Sequence, residues 1–391
     1  MLDIHNFEKF AEVETPFYFY DVDLFRRTVD SLMALSSAYG IEVHYAVKAN
    51  AEQRLLRMLS GAGFGADCVS ANEVVLAAGC GFDPARIMLA GVGKTDKEIR
   101  TSLEVGIGCF NVESIPEMEV IDSIAGSMGL KAPVALRINP NIDPHTHKYI
   151  TTGLEENKFG ISRFEFEAAL ECLRSCRNLE FKGLLFHIGS QITDVSNVFG
   201  LEAKCARELV SWFEERGLKV EHIDFGGGLG VDYEDPDGHL VPDFEAWMKA
   251  LRTCFPAGEG YRLHIEPGRA VVAQCGTLVT RTVYVKKGRT KNFVIVDAGM
   301  NDLIRPALYG AYHKVENITA SYCRGDNTKD CVYDVVGPVC ESSDVWGEGR
   351  ILRQTRRGDL LAIRTAGAYG QTMASRYNQR DLPRAVYSDE I

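Results

Sequence analysis

The feature that most constrains the fold is a series of eight short apolar or β-branched segments, each followed by a helical pattern. Alternation of strand and helix predicts a parallel sheet with helices outside it. Eight such units over about 230 residues match a (β/α)8 barrel, and the count favours a barrel over the alternative, an open doubly wound sheet. The segments are "EVHYAVK" (42–48), "FGADCVS" (64–70), "RIMLAG" (86–91), "GCFNVES" (108–114), "VALRIN" (134–139), "KGLLFHIG" (182–189), "HIDFGGG" (222–228) and "RLHIEPG" (262–268).

The pattern changes after residue 275, where strand-like segments follow one another with turn residues and little helix between them. This predicts a β-sandwich or β-barrel domain. The segment "PFYFYD" (16–21) precedes the first helix and is expected to pair back into that domain. We therefore assign residues 22–275 to the barrel domain and residues 1–21 with 276–391 to the β-domain. A chain of 391 residues suits two domains.

Charge and cysteine usage exclude several classes of protein. The net charge of −11 argues against nucleic acid or an anionic membrane as the main partner. No uninterrupted apolar stretch has the length of a membrane span, and the N-terminus does not have the pattern of a signal peptide. The 11 cysteines contain no CxxC pair, which predicts reduced thiols in a cytoplasmic protein.

Polar residues recur at the carboxyl end of strand after strand, where barrel enzymes carry their active sites. Chance placement in apolar strands would not produce this arrangement. A functional site is therefore expected at this end of the barrel. The residues are Lys48, Asp67, Glu73, Arg137, His187, Ser190, Gly226 to Gly230, Glu266 and Arg269.

The glycine run is suited to holding a phosphate, because it lets backbone N–H groups approach a ligand. It is not a dinucleotide fingerprint, since Val231 stands where the third glycine should be. His145 and His147 do not complete a metal site, because no further ligand follows at a suitable spacing. A lysine, a phosphate cradle and a carboxylate at one barrel mouth match the needs of pyridoxal 5′-phosphate (PLP). We expect Lys48 to be desolvated there, which would favour its neutral amine.

The segments "YAVKAN", "FHIGSQ", "FGGGLG" and "EPGR" resemble the fold-type III PLP-dependent decarboxylases. Further segments narrow the resemblance to the diaminopimelate decarboxylase family, over nearly the whole chain and in the family's order. These are "KYITTGLEENKFGIS", "VDAGMNDLIRPALYGAYH", "GPVCESSD" and "GAYGQTMASRYN".

The resemblance implies a PLP site on the barrel. Lys48 would form the Schiff base, His187 would stack on the cofactor ring, and Glu266 would pair with the pyridine nitrogen. The other positions that would contact the cofactor are Asp67, Ser190, Gly226, Gly227, Gly228, Arg269 and Tyr369.

The resemblance also implies a head-to-tail homodimer with shared active sites. Cys340 of the partner subunit would donate the proton that replaces the lost carboxylate. The residues that would contact the substrate are Arg269, Arg305, Tyr309, Glu341 and Tyr369. The implied reaction is decarboxylation of meso-2,6-diaminopimelate to L-lysine and CO₂, the final step of lysine biosynthesis.

Three alternatives remain open. Another fold-type III decarboxylase could act on ornithine, arginine or carboxynorspermidine, but ornithine and arginine carry a distal cation, whereas Arg305 suits a distal carboxylate. A racemase of the alanine racemase type would place an arginine near the ring nitrogen, where this chain has Glu266. A non-catalytic PLP-binding homologue would lack the proton donor and substrate residues, and Cys340 and Glu341 are both present.

The chain departs from the family pattern at two places. Ser343 stands where glycine is common, and Gln371 and Thr372 stand where an aromatic residue and a serine are usual. These changes leave every residue with an implied role in place. The features that these substitutions could alter are the pocket wall and the interface loop.

Overall fold

The computed structural model describes residues 7–140, 158–324 and 328–391, so His145 and His147 lie outside the described residues. The chain divides into two compact units. The barrel unit comprises Val29–Gly230 and Asp243–Gly268, and the sheet unit comprises Met1–Thr28, Val231–Pro242 and Arg269–Ile391. The domain boundaries drawn from the sequence stay a prediction.

The barrel unit contains a closed parallel barrel of eight strands in chain order, in which the last strand pairs with the first. The described part of the chain begins with α1 (Phe7–Glu12), β1 (Phe17–Tyr20) and α2 (Val22–Tyr39), which ends where Gly40 takes a φ of +59°. The barrel confirms the predicted fold class and excludes the open sheet. Its strands are β2 (Ile41–Ala46), β3 (Gly65–Cys68), β4 (Ile87–Leu89), β5 (Cys109–Val112), β6 (Ala132–Ile138), β7 (Leu179–Phe186), β8 (His222–Asp224) and β9 (Arg262–Ile265).

Helices follow the barrel strands, and polar caps fix where several of them begin. Thr95 forms a capping box with Glu98, while Ser70 and Ser114 each accept a backbone N–H of the first turn. The caps at Ser70 and Ser114 place the starts of their helices directly after a strand. The helices are α3 (Gln53–Gly61), α4 (Ala71–Gly79), α5 (Asp96–Val105), α6 (Ile115–Met128), α7 (Phe166–Ser175), α8 (Val195–Glu214) and α9 (Phe244–Cys254).

Helix α8 buries a carboxyl group, Glu202, which is 1% exposed and has no hydrogen-bond partner for either oxygen. Burial holds its pKa well above the ordinary value, with the negative charge of Asp224 acting in the same direction. The folded state therefore holds this proton more tightly than the unfolded state. Stability is fully present at acidic pH and falls as pH rises through the folded-state pKa.

We predict that Glu202→Gln removes this loss of stability with rising pH. From about pH 5 to about pH 9, the unfolding free energy of the variant should rise relative to that of the native chain by about 1–3 kcal/mol. Urea unfolding across that range measures it. A constant difference between the two proteins at every pH would contradict the prediction.

The sheet unit contains an eight-stranded sheet, with β12–β15–β10–β11–β13–β14 in spatial order. Strand β1 pairs antiparallel with β10 and parallel with β16, which confirms the predicted return of the N-terminal strand. Phenylalanines of α1 and β1 form its core with Val279, Leu360 and Val386. The remaining elements are α10 (Arg269–Val272), β10 (Gly276–Lys287), β11 (Asn292–Val296), α11 (Arg305–Tyr309), β12 (Val315–Asn317), α12 (Ile318–Cys323), β13 (Asp330–Val336), β14 (Val345–Arg353), β15 (Leu360–Ile363) and β16 (Arg384–Tyr387).

No helix among the described residues combines the length and the apolar character needed to cross a membrane.

Candidate active site

Lys48 lies at the carboxyl end of the first barrel strand. Strand β2 ends at Ala46, and Lys48 occupies the 3₁₀ turn Val47–Ala49 that follows. Its Nζ donates to Oδ2 of Asp67, on the neighbouring strand β3, over 2.8 Å. The Lys48 side chain is 38% exposed while that of Asp67 is fully buried. The expectation that Lys48 is desolvated is therefore wrong, and a buried carboxylate holds the amine instead.

Glu266 follows β9 and is buried, with 6% of its surface exposed. Asn111 of β5 donates its side-chain amide to Oε1 over 3.5 Å. Burial raises the pKa of Glu266 well above its ordinary value, and the negative charges of Asp224 and Asp67 add to this shift. A cation brought against this carboxyl group would favour its ionised form. Glu266 is thus suited to pair with a protonated ring nitrogen.

A second buried ion pair lies close to these groups. Arg137 of β6 donates to Glu113, directly after β5, over 2.8 Å, and both side chains are less than a tenth exposed. Glu113 also accepts the backbone N–H groups of Gly91 and Gly160. The Arg137 charge is therefore already matched within the barrel.

His187 follows β7, and its Nδ1 accepts the backbone N–H of Gly227 over 3.2 Å. Its surroundings desolvate the ring enough to lower its pKa well below the ordinary value, and the charges of Arg137 and Lys48 act in the same direction. The ring is therefore neutral, with its proton on Nε2. A flat neutral ring in this position is suited to stack on a cofactor.

The glycine run after β8 is packed so closely that side chains do not fit. A Cβ on Gly227 would lie 2.4 Å from the carbonyl oxygen of Glu266. Gly228 has a φ of +121°, and its Cβ would lie 2.8 Å from the carbonyl oxygen of Gly189. Only backbone can form this cradle, which places it beside Glu266 and His187. Ser190 lies partly exposed in the loop after β7.

These residues fit PLP. A lysine amine, a buried acid, a neutral ring and a glycine cradle match the aldehyde, the ring nitrogen, the ring face and the phosphate of the cofactor. All of them lie in the barrel unit, at the carboxyl ends of its strands.

The sheet unit brings two buried arginines together around tyrosines. Arg269 donates to the hydroxyl of Tyr233 over 2.7 Å, and its guanidinium lies 4.9 Å from the ring centroid of Tyr369. The guanidinium of Arg305 lies 4.6 Å from the ring centroid of Tyr233. Within the described residues no carboxylate forms an ion pair with Arg305. This group can therefore take a carboxylate from a ligand.

A histidine fixes the orientation of Arg305. Its Nη1 lies 2.7 Å from Nε2 of His313, and Nδ1 of His313 lies 2.9 Å from the carbonyl oxygen of Arg364. Because a guanidinium only donates, Nε2 accepts and Nδ1 carries the proton. Burial lowers the pKa of His313 to about 3, with the positive charge of Arg305 acting in the same direction. His313 therefore stays neutral and positions Arg305 at ordinary pH.

Three further predicted site residues belong to the sheet unit. Tyr309 ends α11, four residues after Arg305. Cys340 and Glu341 are exposed in the loop after β13, where Tyr377 donates its hydroxyl to Glu341 over 2.8 Å. The structure thus brings Arg269, Arg305 and Tyr369 together and places Cys340 and Glu341 on an exposed loop.

The departures from the family pattern have local partners. Gln371 accepts the hydroxyl hydrogen of Tyr20 through Oε1 over 2.8 Å, which ties its loop to β1. Ser343 is exposed, and its hydroxyl lies 3.5 Å from the sulfur of Met300. Thr372 is exposed in the turn Gln371–Met373.

The sequence argument missed three residues of these sites: Asn111, Tyr233 and His313. Asn111 stands two residues from another inward position of its strand, so alternation along a strand could have found it. Tyr233 and His313 lie in loops, and no local pattern marks them.

Comparisons with known proteins identify the family. Residues 25–273 match the family described as "Pyridoxal-dependent decarboxylase, pyridoxal binding domain". The chain is 49% identical to diaminopimelate decarboxylase of Bacteroides thetaiotaomicron, over 100% of both chains. It is 42% identical to that of Zymomonas mobilis, over 96% of this chain and 88% of the relative. A crystal structure of the Helicobacter pylori enzyme complexed with L-lysine has a TM-score of 0.88 and 38% identity, over 98% of this chain and 94% of the other.

The barrel and its site therefore define a PLP-dependent carboxy-lyase built on a (β/α)8 barrel. Within that class, the identity over the full length shows that the chain belongs to the diaminopimelate decarboxylase family.

Proposed function

We propose that the protein decarboxylates meso-2,6-diaminopimelate to L-lysine and CO₂. The observation that carries the proposal is Arg305, a buried guanidinium oriented by His313 and lacking a carboxylate partner among the described residues. Diaminopimelate has a second carboxylate at its far end, whereas ornithine and arginine end in cations. The related H. pylori structure was solved with L-lysine, the product of this reaction.

When bound, PLP supplies an electron sink for the bond that breaks as CO₂ leaves. Lys48 would hold the cofactor covalently, with Asp67 orienting its amine. Glu266 would keep the ring nitrogen protonated. The neutral ring of His187 would cover one face of the cofactor.

The glycine backbone and Ser190 would bind the phosphate. Arg269 and Arg305 would bind the distal end of the substrate, and Tyr309 and Tyr369 would line the pocket that holds this end. Glu341 of the partner subunit would accept hydrogen bonds from the distal ammonium group. Cys340 of the partner subunit would deliver a proton to the carbon that loses CO₂.

We further propose a homodimer in which residues 1–21 and 276–391 supply the substrate and interface residues. The exposed loop of Cys340 and Glu341 supports this, because a proton donor needs a dry site and a second subunit could enclose it. We place the protein in the cytoplasm. All 11 cysteines are free thiols, including Cys172 and Cys176, whose sulfur atoms are 4.0 Å apart.

A substrate panel tests the proposed function. Purified protein with PLP should release CO₂ from meso-diaminopimelate with a kcat/KM at least about 100-fold above those for ornithine, arginine and carboxynorspermidine. The reason is that a buried arginine left without its carboxylate costs several kcal/mol. A higher kcat/KM for any of the other three would overturn the assignment.

A further inference from the structure

A cavity of about 520 Å³ runs through the barrel interior below Glu266. Its far end is lined by Lys182 of β7 and by Glu42 and Arg262, which lie at the amino ends of their strands. Its upper end reaches Asp224 and Asn111, and Asn111 donates to Glu266. The role proposed for the barrel mouth does not account for the polar groups that line this cavity.

Among the buried groups at the strand ends, charge balance leaves two carboxyl groups without a cation. Lys48 pairs with Asp67, and Arg137 pairs with Glu113. Among the described residues, neither Asp224 nor Glu266 has a lysine or arginine within ion-pair distance. Both are buried, at 4% and 6% exposure. Neighbouring buried carboxyl groups without a cation do not both ionise, so one of them holds a proton.

Two buried histidines define an unmet hydrogen-bond acceptor in the same cavity. Nδ1 of His44 lies 3.1 Å from the carbonyl oxygen of Arg86, so it carries the proton. Nε2 of His44 is then an acceptor, and it lies 3.0 Å from Nδ1 of His264, which must donate. Nε2 of His264 therefore carries a lone pair and no proton. It is buried and has no partner in the described residues.

Asp224 presents a matching group. Its Oδ1 accepts the backbone N–H of Gly226 over 2.8 Å, while Oδ2 is buried and has no partner in the described part of the chain. Asp224 and His264 are direct neighbours in the register of β8 and β9, and both line the cavity. An ionised Oδ2 would add a second unmet acceptor. A protonated Oδ2 is a donor that can satisfy His264 through one bridging water molecule, since the two atoms are not within hydrogen-bond distance of each other.

We propose that Asp224 is a positioning residue that acts in its protonated form, holding the Gly226 amide through Oδ1 and donating toward His264 through Oδ2. Glu266 is then the ionised member of the pair that faces the ring nitrogen. The inference rests on the proposed function only in assigning Glu266 to that nitrogen.

Opposing effects set the proton affinity of Asp224. Burial raises its pKa to about 7 and the negative charge of Asp67 adds to this, whereas the Gly226 N–H, a hydrogen bond with Glu266 and the positive charge of Lys48 lower the pKa. Glu266 and Glu202 also interact with it electrostatically. Ionisation of Glu266 against a bound cofactor adds a negative charge beside Asp224 and disfavours its carboxylate further.

Matched amide variants at two buried aspartates test the proposal. Asp224→Asn keeps an acceptor for Gly226 and a donor for His264, so its PLP affinity should stay within about threefold of wild type. Asp67→Asn removes the charge that holds Lys48 and should weaken PLP binding by about tenfold or more. Absorbance titration with PLP measures both. Equal loss of PLP binding in the two variants would overturn the proposal.

Infrared spectroscopy of wild-type holoenzyme carrying ¹³C-labelled aspartate decides the protonation state directly, even if Asp224→Asn does not fold. We expect an isotope-sensitive band of a protonated carboxyl group in the wild-type protein at neutral pH. Where Asp224→Asn folds, the variant should lack this band. Holoenzyme without this band would overturn the inference and leave the proposed function standing. A wild-type protein that does not bind PLP would instead overturn the proposed function.

Discussion

Replacing Lys48 with alanine should abolish the visible absorption band of the bound cofactor and lower turnover of meso-diaminopimelate on the order of 10³-fold or more. The reason is geometric. Lys48 stands in the turn after β2, and its amine is held by Asp67 over 2.8 Å. The glycine cradle, His187 and Glu266 stand at the carboxyl ends of other strands of the same barrel. Removing the amine removes the covalent attachment and leaves the rest of the site in place.

Lys249→Ala is the matched control, because Lys249 is an exposed lysine on the outer helix α9. It should leave absorption and turnover unchanged. Circular dichroism should show both variants folded. A visible band that survives in Lys48→Ala would contradict the account.

Replacing Cys340 with alanine should lower turnover on the order of 10²-fold while PLP stays bound. Cys340 is exposed in the loop after β13, and the PLP residues lie in the barrel unit, so the two functions can be separated. Absorbance and CO₂ release measured on the same sample test this. Cys323→Ala, another exposed cysteine of the sheet unit, is the control and should behave as wild type.

Mixing the two variants then tests the shared site. If Lys48 and Cys340 of the partner subunit form one site, random reassortment of Lys48→Ala with Cys340→Ala chains gives heterodimers with one intact site each. Activity should return to about a quarter of the wild-type value. Native mass spectrometry would report the heterodimers. Heterodimers without activity would exclude a site shared in this way.

The barrel was predictable because its signal is local and repeated. Each of the eight segments overlaps one observed strand, and α2 ends before Gly40 as its pattern indicated. The sheet unit was harder to predict. Strand β14 carries Gly347, Glu348 and Gly349 near its start, which have low β-propensity, and long-range pairing with β13 decides its conformation.

Site residues at the ends of strands were predictable from the sequence. Properties that depend on contacts with residues of other strands were not. The glycine cradle and Glu266 could be read from their segments. The exposure of the Lys48 side chain could not be predicted, because it depends on the ion pair that Asp67 of the next strand forms with the amine. Nor could the role of Asp224, which depends on the proton positions of His44 and His264 on two other strands.

The central claim is that Lys48 is the residue that carries PLP. Reducing the holoenzyme with borohydride fixes the cofactor to the lysine that holds it, and peptide mass spectrometry then locates the label. The account predicts a pyridoxyl group on Lys48 and on no other lysine. A label on another lysine, or none on a protein that binds PLP, would contradict it.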